Sequence, residues 1–368
     1  MYHRRFGKTN LSYSVFSLGT MRCLASEELM VRTVEAAIAL GINHIETARS
    51  YGKSEEYLGA AWRSGIARSE VHLTTKLVPT PDADGFERQL DESLQRLQTD
   101  YVEGLAIHGL NTWEHLEWVK SENGCMKAVR RALADGRIRH VGFSTHGFLE
   151  VILAAIATDF FEFVNLHYSV FFQRNESAIA LAHQKDMGVF IISPADKAGM
   201  LHTPPQTLID LCAPLSPLEL NYRFLLSDDR ITTLSLGAAN PSELVLPNYE
   251  ALDDFAILDQ LKAHQAKVLD TDLCSQCYEC LPCPETIHIP EVLRLRNLAV
   301  GYEMTQFGEY RYRMFENAGH WFPGKKANRC TDCGECLPRC PEQLEIPTLL
   351  RDAHERLNGK PGRRLWQD

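Results

Sequence analysis

From residue 14 to residue 252 this sequence alternates between short β-rich apolar runs and longer amphipathic stretches. The runs are SVFSLGT (14–20), HIETA (44–48), VHLTTKL (71–77), VEGLAIHG (102–109), HVGFSTH (140–146), FVNLHY (163–168), GVFIISP (188–194) and TTLSLG (232–237). Between them, stretches such as EELMVRTVEAAIAL, FERQLDESLQRL, CMKAVRRALADG and ESAIALAHQKD place apolar residues at i, i+3, i+4 and i+7, the period of a helix with one buried face. The runs are nearly continuously apolar rather than alternating, as expected of a parallel sheet covered on both faces. Eight such units in about 240 residues predict a closed (β/α)8 TIM barrel rather than an open sheet. A barrel of this kind carries its chemistry at the C-terminal ends of its strands. Glu46, Lys76, His108, Ser144 and Tyr168 all fall there.

The remainder of the chain is organised by cysteine. Eight of the 11 cysteines lie in two runs, CSQCYECLPCP (274–284) and CTDCGECLPRCP (330–341); Cys23, Cys125 and Cys212 are scattered and read as small buried hydrophobes. Each run leads into the same pattern, CPETIHIPEVLR (283–294) and CPEQLEIPTLLR (340–351), in which Ile-Pro opens an apolar helical stretch. The intervening aromatic-rich segment, NLAVGYEMTQFGEYRYRMFENAGHWFPGKK, is expected to contribute a helix over the cysteine loops. These features predict a TIM barrel over residues 1–255 and a small, mostly α-helical domain over 256–368.

Composition narrows the compartment and the partners. With 45% hydrophobic residues in 368 the chain can bury a large core. The net charge is −10, which offers no electrostatic footprint for nucleic acid or an anionic membrane. Basic and acidic residues nearly balance from Thr271 onward, so the deficit sits in the barrel. The N-terminal MYHRRFGKTNLSYS has no apolar core of a signal peptide, and no stretch approaches the roughly 18 apolar residues of a membrane span. A cytoplasmic location is expected. In that reducing compartment clustered cysteines point to metal rather than disulfides.

The cysteine runs resemble those of two-cluster ferredoxins. The second has the spacing C-x2-C-x2-C-x3-C-P, and the first is one residue short before its last cysteine. The resemblance implies two [4Fe-4S] clusters with crossed ligation. Cys274, Cys277 and Cys280 would share one with Cys340; Cys330, Cys333 and Cys336 would share the other with Cys283. The helices after each run make the domain similar to the α-helical ferredoxins. Zinc is the alternative, since Cys-x2-Cys pairs also build zinc sites, but four ligands suffice for zinc and leave the doubled Cys-Pro pattern without a purpose.

The segments GINHIETARSYGKSEEYLG (41–59), LTTKL (73–77) and LAIHG (105–109) resemble the signature segments of the aldo-keto reductases. RRFGKTNLSYSVFSLGTM and GRIRHVGFSTHG (136–147) agree with that family. The resemblance covers residues 3 to 252 and implies a catalytic tetrad of Tyr51, Lys76, His108 and, where the family has Asp, Glu46. Hydride reduction of a carbonyl needs a proton for the developing alkoxide. Lowering a phenol by three units toward neutrality takes roughly 4 kcal/mol of phenolate stabilisation. An adjacent ammonium has the required sign, a carboxylate can fix it, and His108 can orient the substrate oxygen. For each residue a bland reading stands beside this one: a barrel-mouth aromatic, a solvated charge, a core histidine, a supporting salt bridge.

The family binds NADPH across the barrel mouth. The resemblance implies contacts from Gly19 and Thr20, Ser144, Asn165 (where the family usually has Gln), Ser193, Lys197 and Gly237. Departures accompany them. Ile192 stands where an aromatic ring often stacks on the nicotinamide, and Thr145 follows Ser144 in place of Asn. LGAANPSELVLPN (236–248) lacks the basic residue that commonly grips the 2′-phosphate, a role another part of the chain would then have to fill, and Pro247 replaces a usual Glu.

The leading expectation is an NADPH-dependent reductase of a small-molecule carbonyl substrate, fused to a two-cluster domain. A nicotinamide gives two electrons together and a cluster passes one, and no flavin motif is visible to split the pair. The clusters are therefore read as structural, as oxidant sensors, or as a conduit from a one-electron donor such as a ferredoxin. The rival expectation is an electron-transfer or redox-sensing protein whose barrel is a scaffold.

Overall fold

The computed structural model describes residues 1–252 and 254–359. The chain forms two compact units: Met1–Ala198 with Asn221–Ala251, and Gly199–Leu220 with the chain from Leu252 onward.

In the first unit β1 (His3–Arg5) and β2 (Ser12–Ser14) form an antiparallel hairpin. Eight parallel strands follow: β3 (Phe16–Gly19), β4 (His44–Glu46), β5 (His72–Leu77), β6 (Val102–Ile107), β7 (Ile138–Ser144), β8 (Phe163–Leu166), β9 (Gly188–Ile191) and β10 (Thr233–Gly237). They close in sequence order, with β10 pairing β3. Seven of them lie within runs read from the sequence and β7 begins two residues before its run, so the TIM barrel is confirmed. Several helices between them start where a short polar side chain replaces a missing backbone partner. Ser26 accepts from the Leu29 N–H, Asp82 from those of Asp84 and Gly85, and Thr112 from that of His115.

The hairpin was not legible in the sequence. Its aromatics Phe6 and Tyr13 stack at 4.5 Å and pack on Phe163, the first residue of β8, and on Phe190 of β9. Gly188, first residue of β9, is required there because a Cβ would lie 2.2 Å from the Phe6 ring. Above this plug sits a buried polar layer. His44 stacks on Tyr13 at 4.1 Å, and its ring nitrogens meet Ser17 Oγ at 2.6 Å and Thr74 Oγ1 at 2.9 Å. Burial holds the imidazole well below its usual range, so it is neutral.

The second unit is helical. Ile289–Gly301 is buried nearly all round and packs against Ala256–Leu269, Thr305–Tyr312 and Ile346–Leu357. Pro290 and Pro347 occupy first turns, as the repeat predicted. The aromatic-rich segment supplies the end of Ile289–Gly301 and all of Thr305–Tyr312. Two buried guanidinium groups tie the helices internally. Arg294 donates to both Glu291 oxygens at 2.9 and 2.7 Å, and Arg296 bridges Asp352 at 2.7 Å and Asp272 at 2.9 Å. Cys23, Cys125 and Cys212 are buried, as expected of small hydrophobes. No described helix is long and apolar enough to cross a membrane.

Candidate functional site

Parallel closure of the barrel brings the ends of β4, β5 and β6 side by side, with Glu46 paired to Thr74 and Lys76 to Ala106 in register. This places Glu46, Lys76 and His108 at one end of the barrel, and the turn after β4 returns Tyr51 to them. Lys76 is 1% exposed. Its ammonium donates to Glu46 Oε2, to the Thr47 carbonyl at 2.8 Å and to the Tyr51 hydroxyl at 3.3 Å. The second Glu46 oxygen accepts from Ser235 Oγ at 3.0 Å. Glu46 has one methylene more than Asp, and Gly19 makes room for it: a Cβ there would lie 2.8 Å from Glu46 Oε1 and 2.6 Å from Ser235 Oγ. Gly19 therefore serves the carboxylate directly.

The electrostatics depart from expectation in one respect. Burial works against the Lys76 charge, but Glu46 and then Tyr51 outweigh it and hold the ammonium above the usual lysine range. For Tyr51, burial pushes the phenol up; Lys76 pulls it down and Glu46 pushes it up again, leaving it above the ordinary tyrosine value. The lysine does not make a phenolate here, because burial, with the Glu46 carboxylate adding to it, outweighs the ammonium. His108 is buried, meets the Tyr51 ring edge-on at 5.7 Å between centroids, and has Nδ1 3.2 Å from Ser50 Oγ.

The residues expected at the nicotinamide lie on neighbouring strands. Ser144 and Asn165 are register partners on β7 and β8. Ser144 Oγ accepts from the Gly109 N–H at 3.1 Å. Asn165 is fully buried, and neither its amide nitrogen nor its oxygen has a partner. Such an orphaned amide is costly to bury, and it suits the carboxamide of a bound nicotinamide. Thr20 is also fully buried, but its hydroxyl is engaged by the Glu46 carbonyl at 3.0 Å and Ser54 Oγ at 2.7 Å, leaving no side-chain donor for a ligand. Ser193 takes a left-handed backbone conformation (φ 49°) just beyond β9, and Lys197 follows it half-buried. Gly237 is exposed, and its carbonyl accepts from Arg22 at 2.7 Å. Sequence reasoning missed Arg22. From the loop after β3 it reaches the end of β10 and pairs with Glu243 at 2.7 Å, supplying a cation where 236–248 has none. Ser50 and Ser235 were also missed; single serines give no signal apart from their neighbours.

The cysteines surround two cavities in the helical unit. Cys274, Cys277, Cys280 and Cys340 line one, enclosing about 300 Å³ counted out to solvent; Cys283, Cys330, Cys333 and Cys336 line the other, of about 340 Å³. Each cavity thus combines three cysteines of one run with the last cysteine of the other. Among the described residues no three Cys, His, Asp or Glu side chains converge closely enough to hold one metal ion. Four thiols spread around a void suit a polynuclear centre, with one thiolate for each iron. Burial pushes the Cys280 thiol up to about 12, with Cys274 and Cys277 adding to it.

Comparison with known proteins agrees with both halves. The model of the aldo/keto reductase family matches residues 16–211, and that of the 4Fe-4S dicluster domain matches residues 273–344. Methylglyoxal reductase DkgB of Escherichia coli O157:H7 is 30% identical over 186 residues, which cover 50% of this chain and 66% of that protein. The DkgB protein of Salmonella typhi is 30% identical over 152 residues and 55% of its length is covered, so the chain spans less than two thirds of these curated relatives. The solved structure of aldo-keto reductase AKR11C1 from Bacillus halodurans shares the fold, with a TM-score of 0.61 at 21% identity over 72% of this chain and 96% of that one. With a family match over more than half of its length, an eight-stranded parallel barrel and a separate cysteine-rich unit, the chain belongs to the aldo/keto reductase family and carries a 4Fe-4S dicluster domain.

Proposed function

We propose that the barrel domain (residues 1–255) reduces a small carbonyl compound, with Tyr51 as proton donor, and that the domain over 256–368 holds two [4Fe-4S] clusters. The observation that carries the first part is the 3.3 Å separation of the Tyr51 hydroxyl and the Lys76 ammonium, in a site where that ammonium is otherwise fixed. Asn165, Ser144, Ser193, Lys197, Gly19 and Gly237 would hold NADPH, which would supply the hydride; Thr20 is engaged within the protein by its hydroxyl, by its N–H to the Glu46 carbonyl at 3.1 Å and by its carbonyl from the Cys23 N–H at 3.1 Å. Tyr51 enters the reaction neutral, which is the protonation state a donor requires. A developing alkoxide is a much stronger base than phenolate, so the proton moves from the Tyr51 hydroxyl to the substrate oxygen. Lys76 then faces a phenolate it can stabilise at close range in a dry site. Glu46, held by Ser235, keeps Lys76 in place; His108 orients the carbonyl.

The name of the DkgB relatives makes a 2-oxoaldehyde a fitting first member of a carbonyl panel. NADPH oxidation by the anaerobically purified protein across such a panel, together with iron and acid-labile sulfide analysis, tests both parts. Turnover that is lost in Tyr51→Phe, with about eight irons per chain by the two-cluster ligation pattern, is expected. Absence of NADPH binding, with clusters that are reversibly reduced, would support the rival reading instead. In that reading the clusters take electrons from a donor such as a ferredoxin, and the exposure of Cys277 and Cys333, one in each cysteine set, is the observation in its favour.

A further inference from the structure

Gln276 and Asp332 hold the same place in the two halves of the tail. Each stands two residues after the first cysteine of its run, in Cys274-Ser275-Gln276-Cys277 and Cys330-Thr331-Asp332-Cys333. Each also takes the same left-handed backbone conformation, with φ of 63° and 56°. With the backbones matched, the side chains carry the difference. Gln276 Nε2 lies 3.3 Å from Cys274 Sγ and donates to the Pro290 carbonyl at 2.9 Å, which anchors the amide with N–H toward the sulfur. Asp332 Oδ1 lies 4.0 Å from Cys330 Sγ, and the same oxygen accepts from Arg351 at 2.6 Å. One half turns the positive end of a dipole toward a cysteine sulfur. The other turns a carboxylate toward it.

The remaining charges around the cavities do not reproduce this contrast. Glu285 and Glu342 follow Cys-Pro in the two copies of the repeat and line one cavity each, so they balance. Arg339, the extra residue of the second run, lines the Cys330 cavity; its guanidinium donates to the Glu335 carbonyl at 2.8 Å and the Pro282 carbonyl at 3.0 Å. Its field is a constant background when Gln276 or Asp332 is changed.

On the reading that the two cavities hold iron–sulfur clusters, we propose that Gln276 and Asp332 set the reduction potentials of the two centres in opposite directions. Gln276 raises that of the cluster held by Cys274, Cys277, Cys280 and Cys340. Asp332 lowers that of the cluster held by Cys283, Cys330, Cys333 and Cys336. An electron added to a cluster spreads negative charge onto its thiolates. An N–H directed at the sulfur stabilises that charge, and a neighbouring carboxylate opposes it. The Asp332 side chain is 60% exposed and paired with Arg351, so solvent and the ion pair keep its effect modest.

Potentiometric titration of the full chain tests this. Dithionite supplies electrons through mediators, each cluster accepts one, and electron paramagnetic resonance follows the two couples separately. Gln276→Leu is expected to lower one couple by about threefold to tenfold in its reduction equilibrium, tenfold being about 59 mV for one electron, and to leave the other in place. Asp332→Asn is expected to raise the other couple by about threefold. If Gln276→Leu assembles poorly, Gln276→Glu keeps the shape, removes the donor and should shift the same couple in the same direction. Unmoved potentials with full iron and sulfide content, or both variants moving the same couple, would overturn the proposal alone. A wild-type chain without iron and sulfide would overturn it together with the cluster reading.

Discussion

The Lys76 ammonium is shared between the Glu46 carboxylate and the Tyr51 hydroxyl, and Lys76 has almost no contact with solvent. A buried charge of this kind persists only when its partner is present. Its pairing with Glu46 explains why Tyr51 stays protonated beside a cation: burial and the carboxylate together outweigh the ammonium. The site is close to electrically balanced before substrate enters, and the proposed proton transfer is what exposes the lysine to a new negative charge.

Removing one partner should therefore cost more than removing both. Lys76→Met leaves the Glu46 carboxylate buried and uncompensated and is expected to destabilise the barrel by about 3–5 kcal/mol. Lys76→Met with Glu46→Gln should recover most of that loss. Denaturant unfolding of the two single variants and the double variant measures the coupling; additive losses would mean that the pair is not held as described.

Gly19 is expected to be intolerant of a single methyl group. Gly19→Ala would drive a Cβ into Glu46 Oε1 and Ser235 Oγ, with a loss of about 1–3 kcal/mol from overpacking and a displaced carboxylate. Shortening the carboxylate with Glu46→Asp in the same chain should relieve part of it. Unfolding midpoints of the three variants check the compensation.

The strands were readable because a sheet buried on both faces leaves continuous apolar runs, and the site residues Glu46, Lys76 and His108 were readable because they sit where those runs end. Phe6 and Tyr13 were not. Each belongs to a hairpin whose strands are three residues long, too short to show any period. The grouping of residues 199–220 with the cysteine-rich tail is a contact between distant segments and leaves no local pattern. Arg22 places a cation at the end of β10, which pairs with β3 in the closed barrel, and nothing in GTMRC marks that contact between segments more than 200 residues apart in sequence. The raised phenol of Tyr51 depends on burial, which sequence does not report.

The aromatic plug should be a main support of the barrel. Phe6 is 2% exposed against Tyr13, Phe163 and Gly188, so Phe6→Ala is expected to cost about 3–5 kcal/mol. Hydrogen exchange should show the loss in β8 and β9 first, and a protection pattern unchanged from wild type would contradict the role assigned to the hairpin.

His44 predicts an acid-side loss of stability. Its folded-state value is depressed, so below the unfolded value of about 6.5 the unfolded chain takes up a proton that the folded chain does not. Stability from this group is complete above about pH 6.5. It falls by up to about 1.4 kcal/mol per unit as the pH drops toward the folded value. His44→Asn should flatten that part of the profile, as read from exchange of the β4 amides between pH 7 and 5.5. An unchanged slope would place the titration elsewhere.

The most direct measurement compares wild type and Tyr51→Phe in single-turnover reduction of a carbonyl substrate by bound NADPH, with cofactor affinity determined separately by fluorescence titration. The phenyl ring keeps the packing against His108 and removes only the hydroxyl beside Lys76. A fall in rate of about 100-fold to 10,000-fold with unchanged NADPH affinity is predicted. A rate within severalfold of wild type would contradict proton donation by Tyr51 and the function built on it.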